Sequence, residues 1–284
     1  ARMEPNMPRE LALIAGRGAY PRLLAESAKA QGVERVFVVA FSRETEPAIE
    51  RFADEITWIP LGKTQRMLDV LQASGIRHVV MAGLITPTHL FRVRLDRKAL
   101  AVLGKLRQKN AHSIFGAVVQ ELNRIGMEVL PASSFMEAHM PGAGLLSRRG
   151  PTPEEEHDIA LGLRVADMTS SLNIGQTVAI KDGTVLAVEA FEGTDETIRR
   201  AGRLGGTGLV VVKVAKRGHD MRFDIPVVGL QTMKVLKKVG ASALAVQAGR
   251  AILLEKDKIV QRADRMELCL TVLPAANQSE DTTA

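Results

Sequence analysis

The sequence predicts an α/β protein in two halves, a parallel-sheet half followed by a mixed-sheet half. Three observations carry this. Short apolar runs alternate with segments of helical spacing through the first 130 or so residues, the pattern of a parallel sheet covered by helices. Glycine and proline concentrate at Met140-Pro141-Gly142-Ala143-Gly144 and Gly150-Pro151-Thr152-Pro153, marking a break. After the break, a hairpin signal at Lys181-Asp182-Gly183 places antiparallel strands beside further strand–helix alternation.

Taken in order, Leu11 to Ala15 reads as a buried strand, Gly16-Arg17-Gly18 as a turn and Tyr20 to Gln31 as a helix ending at Gly32. Val36 to Phe41 and Ile56 to Pro60 are strands. Thr64 to Ser74 is a helix stopped by Gly75, and His78 to Ala82 a strand ending at Gly83. A helical pair spans about Arg97 to Ile125, and Met127 to Pro131 is a strand. This half, 11–140, is therefore expected to be Rossmann-like. In the second half, 152–275, Thr152 to Glu156 opens a helix with acids in its first turn, which suits the helix dipole. Thr177 to Ile180 and Val185 to Glu189 form the hairpin, and Asp195 to Arg203 is helical. Gly208 to Ala215 and Pro226 to Gly229 are strands, and Gln231 to Val239 is a helix closed by Gly240. Leu244 to Gln247, Ala251 to Glu255 and Leu268 to Leu273 complete the strands.

Composition excludes several classes. Aromatic residues are only 4% of the 284, too few for the stacking platforms of single-stranded nucleic-acid binders, and no nucleic-acid partner is expected. The net charge of +6 favours an anionic partner of some kind. A single cysteine, Cys269, lies in an apolar run and allows neither an internal disulfide nor a thiolate zinc site. No apolar run approaches the roughly 18–20 residues that span a bilayer, and no secretory signal opens the chain. The expected location is cytoplasmic, with any membrane met from its surface.

The turn Ala15-Gly16-Arg17-Gly18 stands between strand and helix, where backbone N–H groups can approach a phosphate. The third glycine of a dinucleotide fingerprint would fall on Pro21, and no acid ends the second strand, so a nicotinamide oxidoreductase is disfavoured. The basic run from Arg92 through Lys98 to Lys109 reads either as a solvated helix face or as a contact for an anionic surface. The six histidines show no ligand spacing, and only His219, beside Asp220, stands near other charged groups. Two further segments carry chemistry. Glu189, Glu192 and Asp195 cluster around a turn, and Lys213, Lys216, Arg217 and Arg222 precede Asp224. Carboxylates hold hard divalent cations and Lys or Arg hold phosphate oxygens, which together suggest metal-assisted chemistry on a phosphate ester or anhydride. Solvated charges at two strand ends are the alternative. The second half has no glycine turn comparable to that of the first.

Ile174-Gly-Gln176, then Val188-Glu189-Ala-Phe-Glu192-Gly-Thr194-Asp195, then Lys216 through Asp220, Arg222 and Asp224 to Pro226, resemble the UDP-2,3-diacylglucosamine pyrophosphatases of the LpxI type. Ala15-Gly16-Arg17-Gly18 to Pro21 and Ala82-Gly83 resemble that family's N-terminal motifs, and the likeness runs over roughly 11–275. The resemblance implies a two-domain hydrolase of lipid A biosynthesis that cleaves UDP-2,3-diacylglucosamine to UMP and 2,3-diacylglucosamine 1-phosphate, lipid X. It implies magnesium or another divalent cation, water attack on the phosphorus next to the sugar, and substrate between the domains. It also implies transient contact with the inner-membrane surface, and it allows a homodimer. By resemblance Asp224 is the essential acid; Asp195 and Glu192 are expected beside it in catalysis, the alternative being that Thr194 and Asp195 merely cap the following helix. Glu189, Glu192, Asp195 and Asp224 form the metal set. Gly16, Gly18, Gly83, Gln176, Thr194, Lys213, Lys216 and Arg222 bind substrate. Lys109-Asn110-Ala111 stands where many members have Lys-Gly-Asp-Asp, the usual glutamine is missing at His219, and Gln247 replaces a common glutamate. A non-catalytic protein that binds a nucleotide-sugar or lipid phosphate is the alternative these departures support.

Overall fold

The computed structural model of the chain describes residues 7–84, 94–107, 111–215, 220–223 and 225–274. It separates into two compact units, Ala1–Glu137 with Asp220–Asp224, and Ala138–His219 with Ile225–Ala284.

In the first unit, β1 (Glu10–Ala15), β2 (Arg35–Phe41), β3 (Glu55–Ile59), β4 (His78–Ala82) and β5 (Glu128–Val129) form a parallel sheet in the order β3-β2-β1-β4-β5. The order reverses between β1 and β4, so the loops after these strands meet at the sheet's carboxyl edge, where open α/β sheets take ligands. Helices α1 (Ala19–Ala30), α2 (Thr64–Ala73), α3 (Arg97–Gly104) and α4 (Ala111–Arg124) belong to this unit. α1 turns Tyr20, Leu23, Leu24 and Ala28 inward at helical spacing, and Asp96 caps α3 by accepting from the Ala99 amide. Central strands are buried throughout, as a sheet covered on both faces requires: Leu11 to Leu13 and Val38 to Ala40 are wholly inaccessible. The parallel-sheet half follows the expected alternation. Met127 to Pro131 contributes only the two-residue β5.

The loops after β1 and β4 are bound to each other. Gly16 donates to the Ala82 carbonyl at 2.8 Å, and Arg17 and Leu84 exchange both backbone hydrogen bonds at 2.9 and 3.0 Å. This proximity is what the glycines permit. A Cβ on Gly83 would lie 2.8 Å from Pro21 Cγ and 2.9 Å from the Arg17 carbonyl oxygen, at a φ of +94° that L side chains rarely adopt. Gly83→Ala is expected to destabilise the protein by about 2–4 kcal/mol, from the strained backbone plus the clash. Denaturant unfolding measures this, and a loss below about 1 kcal/mol would contradict it.

The second unit holds a six-stranded mixed sheet in the order β6-β13-β11-β9-β7-β8. Its strands are β6 (Gly144–Leu145), β7 (Thr177–Lys181), β8 (Thr184–Val188), β9 (Val210–Lys213), β11 (Ala243–Gln247) and β13 (Cys269–Leu273). β9, β11 and β13 are mutually parallel, and β7, β8 and β6 run antiparallel to their neighbours. A separate parallel pair joins β10 (Val227–Val228) to β12 (Ile252–Leu253). The long helix α5 (Pro153–Ser171) begins as the sequence predicts. Glu154, Glu155 and Glu156 fill its first turn, and Thr152 and Glu155 form a reciprocal capping box. α6 (Thr194–Gly205), α7 (Leu230–Val239) and α8 (Lys256–Arg265) complete the unit.

Two local expectations are corrected. Ala251 to Glu255 yields only the two-residue β12, because a left-handed Glu255 then starts α8, a helix the sequence reading leaves unassigned. α8 is almost entirely polar and buries only Ile259 and Ala263, one residue pair four apart, so its apolar stripe is too narrow to read. Separately, Asp220 to Phe223 pack with the first unit although they follow β9 in sequence. The Ala132 amide donates to the Met221 carbonyl at 2.7 Å, and Phe223 stacks on Phe115 with ring centroids 6.0 Å apart.

Candidate functional site

At the carboxyl end of β9 lies a cluster of buried polar side chains. Lys213 ends the strand and is only 8% exposed; Thr177, its register partner on β7, is fully buried. Lys213 Nζ donates to Thr194 Oγ1 at 2.7 Å, Thr194 Oγ1 lies 3.3 Å from Thr177 Oγ1, and Thr194 reaches Glu189 Oε1 at 3.1 Å. Proton accounting fixes the directions. An ammonium can only donate and an ionised carboxylate can only accept, so the Thr194 proton goes to Glu189 and Thr177 must donate to Thr194. Two groups are left underused. Among the described residues, Lys213 spends one donor, on a neutral hydroxyl, and Glu189 Oε2 is buried without a hydrogen-bond partner. Gln247 ends the adjacent β11, is 6% exposed, and accepts from the Ala215 amide at 3.2 Å.

Thr194 is also the first residue of α6. Its N-cap is Gly193, at φ 84° and ψ 167°, with no side chain capping the helix. Gly18 before α1 adopts nearly the same conformation, φ 92° and ψ 179°, again with no side-chain cap. The expectation that the second half lacks a comparable glycine turn is thus overturned. A lone glycine inside Glu192-Gly193-Thr194 suffices, because only one residue needs this glycine-restricted geometry. Both helices present first-turn amides unengaged by capping side chains, the arrangement that receives anions.

Glu189, Glu192 and Asp195 take different partners. Glu189 joins the cluster around Lys213. Glu192 turns to Arg200 at 2.6 Å and accepts from the Ala190 amide at 3.2 Å. Burial opposes the Glu192 charge, but backbone donors and Arg200 outweigh it and hold the carboxyl below its ordinary range. Asp195 accepts from Thr232 Oγ1 at 2.9 Å and does not cap its own helix. Among the described residues, no group of three or more His, Cys, Asp or Glu is placed to hold a metal ion. Asp224, Lys216 and Arg217 lie outside the described residues, as does His219. Arg222 is gripped in a fork by Asp220, with Nε 2.8 Å from Oδ1, and that pairing raises its pKa further. Gln176 holds the β7 entry through its carbonyl, which accepts from Val214 at 3.0 Å. Gly16, Gly18 and Gly83 stand together at the switch point of the first unit's sheet.

Sequence reasoning missed Thr177 as a member of the cluster and Arg200 as the partner of Glu192. Thr177 reads simply as a β-branched strand residue. Arg200 stands eight residues from Glu192, a spacing that becomes a contact only once α6 folds back against the end of β8, where Arg200 also donates to the Val188 carbonyl at 2.8 Å.

The comparisons with known proteins bear on this geometry. The family model of the LpxI N-terminal domain matches residues 10–139 and that of the LpxI C-terminal domain matches 142–271. The UDP-2,3-diacylglucosamine pyrophosphatase LpxI of Caulobacter vibrioides is 31% identical over 274 residues, covering 92% of this chain and 96% of its own. Among solved structures, glycinamide-RNase-transformylase T from Mycobacterium tuberculosis is 14% identical with a TM-score of 0.25, over 64% of this chain and 44% of its own. The biotin carboxylase subunit of a pyruvate carboxylase is 12% identical with a TM-score of 0.28, over 68% and 40%.

Proposed function

We propose a function on one premise: this chain belongs to the LpxI family, whose two domain models together span it nearly end to end. As a hydrolase of the lipid A pathway, it cleaves the pyrophosphate of UDP-2,3-diacylglucosamine to UMP and lipid X. The observation that carries this reading is Lys213, a buried ammonium whose hydrogen-bond partner among the described residues is the neutral Thr194 hydroxyl, beside the uncapped start of α6. Lys213 reaches the Glu189 carboxylate only through the Thr194 hydroxyl, and a phosphoryl oxygen would give the buried ammonium a direct anionic partner. Thr194 places its hydroxyl between the cation and Glu189, so the same cluster can orient a phosphate and hold a proton acceptor near it.

In this proposal Lys213, Thr194 and the first α6 amides bind the pyrophosphate. Asp224 orients the attacking water or accepts its proton. Magnesium belongs to the proposal as well. Glu189, whose Oε2 is buried without a hydrogen-bond partner among the described residues, would supply an oxygen ligand, and the ion would neutralise phosphoryl oxygens. Glu192 and Asp195 are committed to Arg200 and Thr232, so their part is to fix the start of α6.

The test is UMP release from UDP-2,3-diacylglucosamine, with magnesium and after chelation. Turnover that chelation abolishes, with label from ¹⁸O-water recovered in lipid X, supports the whole reading. Label in UMP would move the attack to the other phosphorus. Tight substrate binding without turnover under any divalent cation would favour a non-catalytic binding protein.

A further inference from the structure

We infer that Thr177, which is wholly inaccessible, is a positioning residue for the phosphate site: its hydroxyl locks the Thr194 hydroxyl in place and, through it, the Lys213 ammonium. The inference rests on the pyrophosphatase reading and adds to it a residue that stands behind the site without touching the substrate.

Thr177 opens β7, and Val178, Ala179 and Ile180 follow it as fully buried apolar residues. A valine would fill the same space with no hydroxyl to satisfy, so the core by itself does not ask for threonine here. Burying a hydroxyl is unfavourable unless it is hydrogen-bonded. Among the described residues this one is bonded to Thr194 Oγ1, at 3.3 Å. The Thr177 backbone reaches the remaining members of the cluster. Its carbonyl accepts from the Glu189 amide at 2.8 Å, and its register partner on β9 is Lys213. One residue thus meets Thr194 with its side chain and fixes the chain positions of Glu189 and Lys213 with its backbone.

Thr194 Oγ1 is the atom on which these contacts converge. A hydroxyl has one proton to give and two lone pairs with which to accept. Thr194 gives its proton to Glu189 at 3.1 Å and accepts from Lys213 at 2.7 Å and from Thr177 at 3.3 Å. β7 runs antiparallel to both of its neighbours, so its first residue lies at the same sheet edge as the last residues of β9 and β8, and the oxygen is held from three adjacent strands. With all three positions filled, a single arrangement keeps every donor facing an acceptor: the proton on Glu189. Lys213 gains most from this. An ammonium on a four-carbon stem is entropically costly to hold in one rotamer, and Thr194 holds its tip. Without the Thr177 hydroxyl, one lone pair of Thr194 would open onto an apolar core, the side chain would be able to turn, and Lys213 would lose a fixed acceptor. A cation already held in place binds a phosphoryl oxygen more tightly than one that must first be ordered.

The experiment uses the full chain with UDP-2,3-diacylglucosamine dispersed in detergent. The unmodified chain, T177V, T177S, T194V and the double variant T177V/T194V are compared by steady-state UMP release with magnesium. Calorimetric binding of the same substrate under chelation gives Kd, and thermal melting is the folding control. The expected result is a fall of about tenfold in kcat/KM for T177V, carried by KM, on the scale of one lost hydrogen bond. T177S keeps the hydroxyl and gives up the methyl, and should stay within about threefold of the unmodified chain. Because Thr177 acts through Thr194, adding T177V to T194V should change kcat/KM by less than about twofold. The inference fails if T177V stays within about twofold of the unmodified chain, or if T177S falls as far as T177V, which would make packing the cause. It also fails if the loss lies in kcat alone, or if T177V lowers T194V as much as it lowers the unmodified chain. In each of these cases UMP release by the unmodified chain leaves the pyrophosphatase reading standing. If the unmodified chain binds substrate and releases no UMP with any divalent cation, the enzymatic reading is lost and the same variants, compared by Kd, decide the part of Thr177. A chain that neither binds nor cleaves the substrate ends both. If T177V melts early, T177S and T177A, which differ by the hydroxyl alone, take its place under the same limits.

Discussion

Asp224→Ala is expected to lower kcat by about 10²–10⁴-fold, the range for removing a positioned acid or base, while KM changes less than about threefold. The expectation rests on the Arg222-Phe-Asp224-Ile-Pro226 motif and on how its neighbours are fixed. Arg222 is held by Asp220 and Phe223 by Phe115, so truncating the residue between Phe223 and Ile225 leaves both anchors in place. The phosphate-binding groups assigned to the site, Lys213 and Thr194, are also untouched. Steady-state kinetics on dispersed substrate, with denaturant unfolding alongside, separate chemistry from folding. Turnover within threefold of the unmodified chain would remove Asp224 from the mechanism. A large rise in KM with kcat preserved would make it a binding residue.

Much of the fold was legible because its signals are local. Glycine after a strand, alternation of apolar runs and a Thr-Pro-Glu-Glu-Glu helix start act over a few residues, and the structure places β1, α1, β4 and α5 where those signals stand. α8 was illegible because its burial depends on two residues only. The Asp220–Phe223 segment was illegible for another reason: its packing with the first unit depends on a contact to Phe115 more than a hundred residues away, and nothing local encodes that. The site divides similarly. Residue types at the turn around Gly193 announced carboxylates, but neither the glycine-started helix that can receive an anion nor how the carboxylates are shared. Glu189 goes to Thr194 and Glu192 to Arg200, both on α6, and Asp195 to Thr232 on α7. Charge pattern can nominate a group of acids, whereas hydrogen-bond competition in the folded chain decides which of them stays free.

The Lys213 assignment makes a prediction with two signs. If the ammonium serves only to hold Thr194, replacing it should cost stability and leave kinetics alone. If it waits for a phosphate, its burial is a standing cost in the free protein, and removing the charge should stabilise. Lys213→Met keeps the length and apolar stem of the side chain and discards the charge. Thr194 retains Thr177 as donor and Glu189 as acceptor, so the hydroxyl keeps both of these bonds after the change. The expected outcome is a gain of about 1–3 kcal/mol in unfolding free energy, with a rise in KM of about 10–100-fold from loss of charge-assisted bonds to the pyrophosphate. If that bond tightens as the bridging oxygen departs, kcat falls too. Adding UMP or lipid X should raise the melting temperature of the unmodified chain, and by less in the variant, because a ligand that binds only the folded state stabilises in proportion to its affinity. A variant that is less stable and binds substrate normally would reduce Lys213 to a buried strut for α6, and the phosphate would then have to be held elsewhere on the chain.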